Sequence, residues 1–336
     1  MDLFRRLFSQ SGSEPVDEDT HPLVSAAQPT TDNLIEADDD ELAAAVITQE
    51  VAPLEPVTGP PADGSATRPL PQEQFITRKN EHLTFGQSTD VGMMRTNNQD
   101  SVFSFFSTSR SAEERPDFGL FIVADGMGGH HDGEKASAMA ARIVASYITN
   151  KFYLPMISND TENDTPPITE TMINALQRAN SEVMAKVPDG GTTLTAAAVV
   201  GDLAYIAHVG DSRAYLVSKD GCEQITRDHS LVQRLIELAH LTPEEAAGHP
   251  QGNVLYRALG QADQIDVDAI TRRLPPNSRL LLCSDGLWNQ VMDKDIRDIV
   301  MTNEDPQQAC DKLVALANTR GGSDNITAIL LRIPTK

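Results

Sequence analysis

The chain has 336 residues and a formal net charge of −22, with 49 acidic side chains against 27 basic ones. Nucleic acids and anionic membranes both require a basic surface, so this charge argues against either as the main partner. The three cysteines form neither a disulfide framework nor a zinc-binding spacing. No apolar stretch approaches the ~20 residues of a membrane span, and no signal-peptide pattern is visible, so we expect a cytoplasmic protein.

The first 80 residues differ in composition from the rest of the chain. They hold fifteen acidic side chains, five basic ones and nine prolines, a net charge of −10. So little apolar sequence cannot offset the entropy of ordering, and we predict a disordered, acidic, proline-rich segment over residues 1–80. Two apolar islands, MDLFRRLF and LAAAVITQEV, are either docking motifs or frayed segments without function. We predict one folded domain over residues 81–336.

Strand and helix patterns occur in blocks after residue 80. Short apolar runs predict strands at 82–88, 101–106, 117–124, 193–200, 203–217, 224–226, 279–283 and 326–333. Helix-forming sequence and apolar residues at helical spacing predict helices at 133–150, 168–187, 230–240, 293–302 and 306–319. Because the elements do not alternate singly, the pattern favours stacked antiparallel sheets with outer helices, an α+β fold.

Five aspartates lie next to apolar runs. They are Asp100 in RTNNQDSVFSFF, Asp125 in FIVADGMGG, Asp211 in AYIAHVGDSRAY, Asp285 in RLLLCSDGLW and Asp324 in RGGSDNITAILL. Each one alone is more typical of a turn, since Asp-Gly and Asp-Asn are common turn dipeptides. Aspartates at the ends of several strands can, however, converge at one rim of a sheet, where their mutual repulsion requires a cation. Oxygen ligands without His or Cys favour Mg²⁺ or Mn²⁺ over zinc.

The order of the motifs is more specific than any single motif. Arg-x-x-Asn-x-Asp, Ala-Asp-Gly-Met-Gly-Gly, Gly-Thr-Thr, Gly-Asp-Ser-Arg, Ser-Asp-Gly-Leu and Ser-Asp-Asn follow one another between residues 82 and 333. In this order the chain resembles the metal-dependent type-2C protein Ser/Thr phosphatases, in their compact bacterial form. The resemblance implies a four-layer α-β-β-α sandwich of two antiparallel sheets flanked by helices. It also implies hydrolysis of phosphoserine and phosphothreonine in proteins, opposing a Ser/Thr kinase, by a water that two metal ions activate.

The resemblance also implies a set of metal ligands. Asp125 would bridge two Mn²⁺ or Mg²⁺ ions, and the carbonyl of Gly126 would be a further ligand of the first ion. Asp285 and Asp324 would hold the second ion. Asp100 would support the pair through coordinated water.

Two further residues complete the implied site. Asp211 matches a third, more weakly held metal site. Arg95 matches the phosphate-binding arginine, whose planar guanidinium can form two parallel hydrogen bonds to phosphate oxygens. With Asp125, Arg95 would therefore be central to catalysis.

The sequence departs from the family pattern at two positions. Gln99 stands where many relatives carry Glu, which puts the strength of the second metal site in doubt. Met127 stands where eukaryotic relatives carry a His that is a candidate general acid. The segment 228–260 resembles the mobile flap that recognises substrate beside the active site, and its His229 and His249 are expected at the surface.

Two other functions stay open on the sequence alone. One is a catalytically weak phosphoprotein-binding module on the same fold, although all five aspartates are present. The other is a small-molecule phosphomonoesterase, which a comparison of phosphopeptide with sugar-phosphate turnover would separate from a protein phosphatase. We expect a monomer whose partners are phosphorylated proteins and a Ser/Thr kinase, without nucleic acid or membrane.

Deletion of residues 1–80 should leave turnover of p-nitrophenyl phosphate within about twofold, because a solvated segment contributes little to a folded core. No proposed ligand precedes Arg95. Initial rates of the full and truncated chains would measure this. The deletion should affect turnover most for a basic phosphoprotein at low salt. The reason is that the acidic segment attracts basic partners, and salt at physiological ionic strength screens such attraction beyond a Debye length of ~8 Å. A truncated chain that misfolds or loses small-substrate turnover would contradict the boundary near residue 80.

Overall fold

The computed structural model describes residues 82–108, 116–128, 131–158, 166–246 and 249–333. The predicted disorder of residues 1–80 and both apolar islands lie outside these ranges, so those expectations stay predictions. Within the described ranges, no helix combines the length and the apolar character that a membrane crossing requires.

The described strands form two antiparallel sheets. The first contains, in spatial order, β1 (Thr84–Asp90), β11 (Ile326–Arg332), β10 (Arg279–Cys283), β7 (Arg213–Val217) and β8 (Cys222–Gln224). The second contains β2 (Asp100–Ser107), β3 (Phe118–Gly128), β5 (Leu194–Val200), β6 (Leu203–Val209) and β9 (Asp268–Arg273). A short strand, β4 (Gly190–Thr192), pairs with the end of β3.

Helices cover the outer face of each sheet. On the second sheet lie α1 (Asp132–Ile148), followed by a π-helical turn (Thr149–Tyr153), α2 (Leu154–Ser158) and α3 (Ile168–Lys186). On the first sheet lie α6 (Asp285–Trp288), α7 (Asp293–Thr302) and α8 (Pro306–Thr319). Two short helices, α4 (Leu231–Glu237) and α5 (Pro243–Ala246), belong to the segment 228–260.

Three apolar cores separate four layers of secondary structure. Strand β3 shows why its sequence is apolar without alternation, because both of its faces are buried. Its Leu120 and Ile122 pack against α1 and α3, whereas Phe121 and Val123 pack between the two sheets. The third core lies between the first sheet and its helices and includes Leu281, where Cys283 is also buried as a small apolar residue. The predicted α+β, four-layer α-β-β-α sandwich is therefore confirmed.

The strand predicted over residues 203–217 is wrong as a single element. Strand β6 ends at Val209 in the second sheet, and β7 begins at Arg213 in the first sheet. Between them Gly210 has a φ of +111°, a conformation that residues with a side chain rarely adopt. The chain therefore crosses from one sheet to the other at this point, which places Asp211 on the crossing.

The other differences from the sequence-based prediction concern short helices and strands. Strand β9 and the single-turn helix α6 lie where no element is predicted, and the helix predicted at 230–240 ends at Glu237. A strand at the sheet edge, with exposed residues at every second position, carries little apolar signal. One helical turn is likewise too short for a periodic pattern.

Candidate active site

The predicted site residues come together at one end of the sandwich. A cavity of ≈ 220 Å³ is lined by Arg95, Gln99, Asp125, Gly126, Met127, Gly128, Thr193, Asp211, Asn253, Leu255, Asp285 and Asp324. Both sheets contribute, because Asp125 lies on β3 whereas Asp285 and Asp324 flank β10 and β11. Asp100 lies behind this lining, opposite Asp125 in the register of β2 and β3.

The backbone around Asp125 is held by two threonines. The Asp125 N–H donates to Thr193 Oγ1 at 3.0 Å, and its carbonyl accepts from Thr192 Oγ1 at 2.9 Å and from the Thr193 N–H at 2.8 Å. The next residue must be glycine, because a Cβ on Gly126 would collide with the carbonyl of Gly133 at the start of α1. This close approach fixes the backbone at Gly126, which lines the cavity together with Asp125.

Two loops of the first sheet bring further carboxylates to the same place. Asp285 is the first residue of α6, and the preceding Ser284 donates from Oγ to Asp100 Oδ2 at 2.7 Å. Ahead of β11, Asn325 accepts from the Gln99 N–H at 2.8 Å and donates to two backbone carbonyls of the β1–β2 loop. The position of Asp324 is therefore fixed by the contacts of its neighbour Asn325 with the loop that joins β1 of the first sheet to β2 of the second.

Arg95 pairs with one of the predicted metal ligands. Its Nη2 lies 2.6 Å from Asp324 Oδ2, and half of its side chain is exposed. An exposed ion pair of this kind contributes only about 0–1 kcal/mol, so a competing anion or cation can separate it.

The site is strongly acidic, and burial makes the charge costly. Desolvation raises the pKa of Asp100 to about 6 and that of Asp211 to about 7. It also raises the pKa of Asp125 and Asp285 well above the ordinary range, and the neighbouring carboxylates add repulsion. The protein alone therefore does not neutralise the negative charge that these side chains would carry together.

The donor set fits a hard divalent cation. Asp100 Oδ1 and Asp285 Oδ1 are fully enclosed and have no hydrogen-bond donor. Buried carboxylate oxygens without a donor are rare and costly, and a cation satisfies them. Within the described ranges, no three His, Cys, Asp or Glu side chains already surround a common point as a closed metal site does.

Sequence reasoning missed two residues that face the cavity. Asn253 and Leu255 belong to the segment 228–260 and line the cavity opposite the carboxylates. Both ends of the segment are joined, because the Leu231 N–H donates to the Val254 carbonyl at 2.7 Å. No composition signal marks these two side chains, although the flap resemblance placed their segment beside the site.

The expectation that His229 lies at the surface is wrong. Its side chain is 1% exposed, and its ring lies 4.9 Å from that of the buried His208. Its Nδ1 accepts from the Gly210 N–H at 3.0 Å, and its Nε2 lies 3.3 Å from Asp268 Oδ2. These polar partners satisfy both ring nitrogens, which a sequence without an alignment does not reveal. His249, by contrast, is partly exposed.

Gln99 takes part in the site through its backbone as well as its side chain. Its carbonyl accepts from the Gly126 N–H at 3.1 Å and from Ser137 Oγ at 2.6 Å. Its side-chain Nε2 lies 3.5 Å from the Gly128 carbonyl. A neutral amide can form this contact as a donor, which a carboxylate cannot.

This arrangement defines a class of protein: a two-sheet sandwich with a carboxylate-rich cavity at one end. The chain matches the family model described as protein phosphatase 2C over residues 95–330. It is 39% identical over 249 residues to the protein phosphatase PhpP of Streptococcus pneumoniae, and the match covers 72% of this chain and 94% of PhpP.

Solved structures agree with this assignment. The Streptococcus agalactiae serine/threonine phosphatase has a TM-score of 0.64 and 34% identity, covering 75% of this chain and 100% of that one. The catalytic domain of the serine/threonine protein phosphatase PstP, solved with two manganese ions, has a TM-score of 0.60 and 31% identity. The match covers 75% of this chain and 98% of the PstP chain. The chain therefore belongs to the protein phosphatase 2C family, whose members are metal-dependent hydrolases.

The raised pKa values of Asp100 and Asp211 predict how metal stabilisation depends on pH. A carboxyl with a raised folded-state pKa stabilises the metal-free fold at low pH, and this stability is lost as pH rises through the folded value. The melting temperature gained on adding Mn²⁺ should therefore increase between about pH 5 and pH 8, a window set by these shifts. Thermal unfolding with and without Mn²⁺ measures the difference.

The same comparison contains its own control. The depressed pKa of the buried His208 destabilises the metal-free fold at low pH, but it does so equally with Mn²⁺ present. The difference between the two melting temperatures therefore isolates the carboxylates. A difference that stays constant or narrows toward pH 8 would contradict the cluster as the metal site.

Proposed function

We propose that this chain is a protein-serine/threonine phosphatase that uses two Mn²⁺ or Mg²⁺ ions, with a third ion more weakly held. It would act on phosphorylated proteins in the cytoplasm and reverse the action of a Ser/Thr kinase. The single observation that carries the proposal is the cluster of buried carboxylates, with two donor-free oxygens, beside a half-exposed arginine in a protein phosphatase 2C fold.

Asp125, Asp285 and Asp324 would hold the ions, with the Gly126 carbonyl as a further ligand. Asp100 lies behind them and would complete the site from its enclosed Oδ1. When bound, the two ions supply an activated water and neutralise the phosphoryl oxygens. No Ser or Cys nucleophile is then required.

Arg95 would orient the phosphate. Its guanidinium lies at the cavity and is half exposed, so it can reach a bound anion without a change in the sheets. In the structure its partner is Asp324, at 2.6 Å. Asp324 is one of the residues that would hold a metal ion, and the planar guanidinium of Arg95 would then be available to form two parallel hydrogen bonds to phosphate oxygens. Arg95 would thus exchange a carboxylate for the substrate phosphate.

A substrate on a protein chain suits the cavity better than a free small molecule. The cavity is small, ≈ 220 Å³, and two of its lining residues, Asn253 and Leu255, come from the segment 228–260. That is room for a phosphorylated side chain, whereas sites for whole small ligands are typically ~300–1,000 Å³.

The net charge of −22 argues against nucleic acid or an anionic membrane as a binding partner. We propose a monomer.

Two substitutions separate metal binding from phosphate binding. Asp125→Asn should lower kcat by at least ~10³-fold, as expected when a central stabiliser of the transition state is lost, and should weaken Mn²⁺ binding in calorimetry. Arg95→Ala should bind Mn²⁺ no more weakly than the parent, because it removes the competitor for Asp324, but should raise KM for a phosphothreonine peptide. Arg142→Ala, an exposed arginine of α1, is the matched control and should change neither.

Chelation completes the test. Exhaustive treatment with a chelator should abolish phosphopeptide turnover, and Mn²⁺ or Mg²⁺ should restore it. Full turnover without metal, or parental Mn²⁺ affinity in Asp125→Asn, would contradict the proposal. Turnover of sugar phosphates but not of phosphopeptides would favour the small-molecule phosphomonoesterase.

A further inference from the structure

The chain contains a single tryptophan, and it lies against the candidate site. Trp288 is the last residue of the one-turn helix α6, whose first residue is Asp285. Its indole Nε1–H donates to the backbone carbonyl of Asp211 at 3.0 Å. The helix that carries one proposed metal ligand thus also contacts the backbone of another.

One face of the indole ring is covered by a partly buried arginine. The guanidinium carbon of Arg213 lies 3.6 Å from the centre of the Trp288 ring, a stacked cation–π contact. Arg213 also donates to Asp228 from Nε at 3.0 Å and from Nη2 at 2.6 Å, and from Nη1 to the Tyr215 hydroxyl at 2.9 Å. All three guanidinium nitrogens are engaged, so both the ring and the carboxylate have fixed positions.

Asp228 connects this stack to the flap segment 228–260, of which it is the first residue. It is 5% exposed, and its Oδ1 also accepts from Gln224 Nε2 at 2.9 Å. The next residue, His229, donates from its N–H to the Gly210 carbonyl at 2.7 Å and accepts the Gly210 N–H on its ring. The base of the segment is therefore bound to the turn that carries Asp211.

These contacts connect three parts of the molecule. Trp288 links α6 to Asp211, and the stack of Trp288 on Arg213, with the Arg213–Asp228 pair, links α6 to the base of the flap segment. The turn itself is a sheet-to-sheet crossing in which Gly210 has a positive φ, so its strands alone do not fix the direction of the Asp211 carboxylate. Within the part of the chain that the structure describes, α6 reaches the Asp211 backbone through the Trp288 indole.

We propose that Trp288 and Arg213 are positioning residues. They hold the Asp211 carboxylate toward the cavity and couple it to the base of the segment 228–260, so that the weakest metal site and the flap respond together. The inference rests on the proposed function for the identity of the ions, but its main readout is metal affinity and not turnover. Contacts behind metal ligands typically change affinity 10- to 100-fold when they are lost.

Trp288→Phe is the first test, carried out on the full chain. Phenylalanine keeps a ring for Arg213 to stack on but removes the N–H that donates to Asp211. Calorimetric titration with Mn²⁺ should show the tight ions unchanged and the weakest ion bound about 10-fold less tightly. A variant that melts at lower temperature while its Mn²⁺ isotherm matches the parent would show a structural role only and overturn the proposal.

Arg213→Lys is the second test, and it keeps Trp288 as a fluorescent reporter. Lysine retains the charge but loses the fork and the flat stacking surface. In the parent, Mg²⁺ titration should change the Trp288 emission at the concentration that fills the weakest site. In the variant the midpoint should move to about 10-fold higher Mg²⁺, as for other contacts behind metal ligands.

Arg279→Lys is the matched control. Arg279 is another arginine of the first sheet, buried where Arg213 is partly buried, and it pairs with Val217 at the opposite end of β10 from Cys283, the partner of Arg213. Its midpoint should equal that of the parent. Equal midpoints in all three proteins would overturn the proposal.

Failure of the proposed function gives a different result. A chain that turns over no phosphopeptide, yet shows the shifted midpoint in Arg213→Lys alone, would retain the positioning role and refute the phosphatase. A chain that is an active phosphatase with unshifted midpoints would do the reverse.

Discussion

Five carboxylates share one end of this sandwich, and their mutual repulsion is the constraint on which the rest of the structure depends. Four of them have raised pKa values because they are buried beside one another. Burying these carboxylates together costs free energy, which the packing of the surrounding layers must offset. Three apolar cores do so here, and the continuous burial of β3 on both faces is the clearest example.

The site forms at the seam, the line along which the ends of the two sheets meet. Asp100 and Asp125 come from paired strands of the second sheet, whereas Asp285 begins the helix α6 after β10 and Asp324 precedes β11 of the first sheet. Contacts that cross the seam, such as Ser284 with Asp100, keep the two halves in register. The crossing at Gly210 adds Asp211 from the chain that joins the sheets. A site assembled from both sheets therefore depends on the whole domain.

Much of this could be predicted from the sequence, because apolar runs and Asp-containing turns are local signals. The strand at Arg279–Cys283 and the helices at Asp293–Thr302 and Pro306–Thr319 have their predicted bounds. The crossing at Gly210 was missed because an apolar run lies on each side of the short Gly-Asp-Ser-Arg turn, and periodicity does not show that the two runs belong to different sheets. The burial of His229 and the contact of Trp288 with Asp211 depend on residues distant in sequence, which one sequence does not reveal.

The central claim is that divalent cations satisfy the buried carboxylates and release Arg95 from Asp324. Crystals of the full chain grown with Mn²⁺, with diffraction data collected at the manganese absorption edge, test it most directly. We expect two anomalous peaks that share the Asp125 carboxylate, one of them also beside Asp285 and Asp324, with Arg95 turned toward open cavity. Data without manganese peaks at these carboxylates, or with the Arg95–Asp324 pair intact beside a bound ion, would contradict the claim.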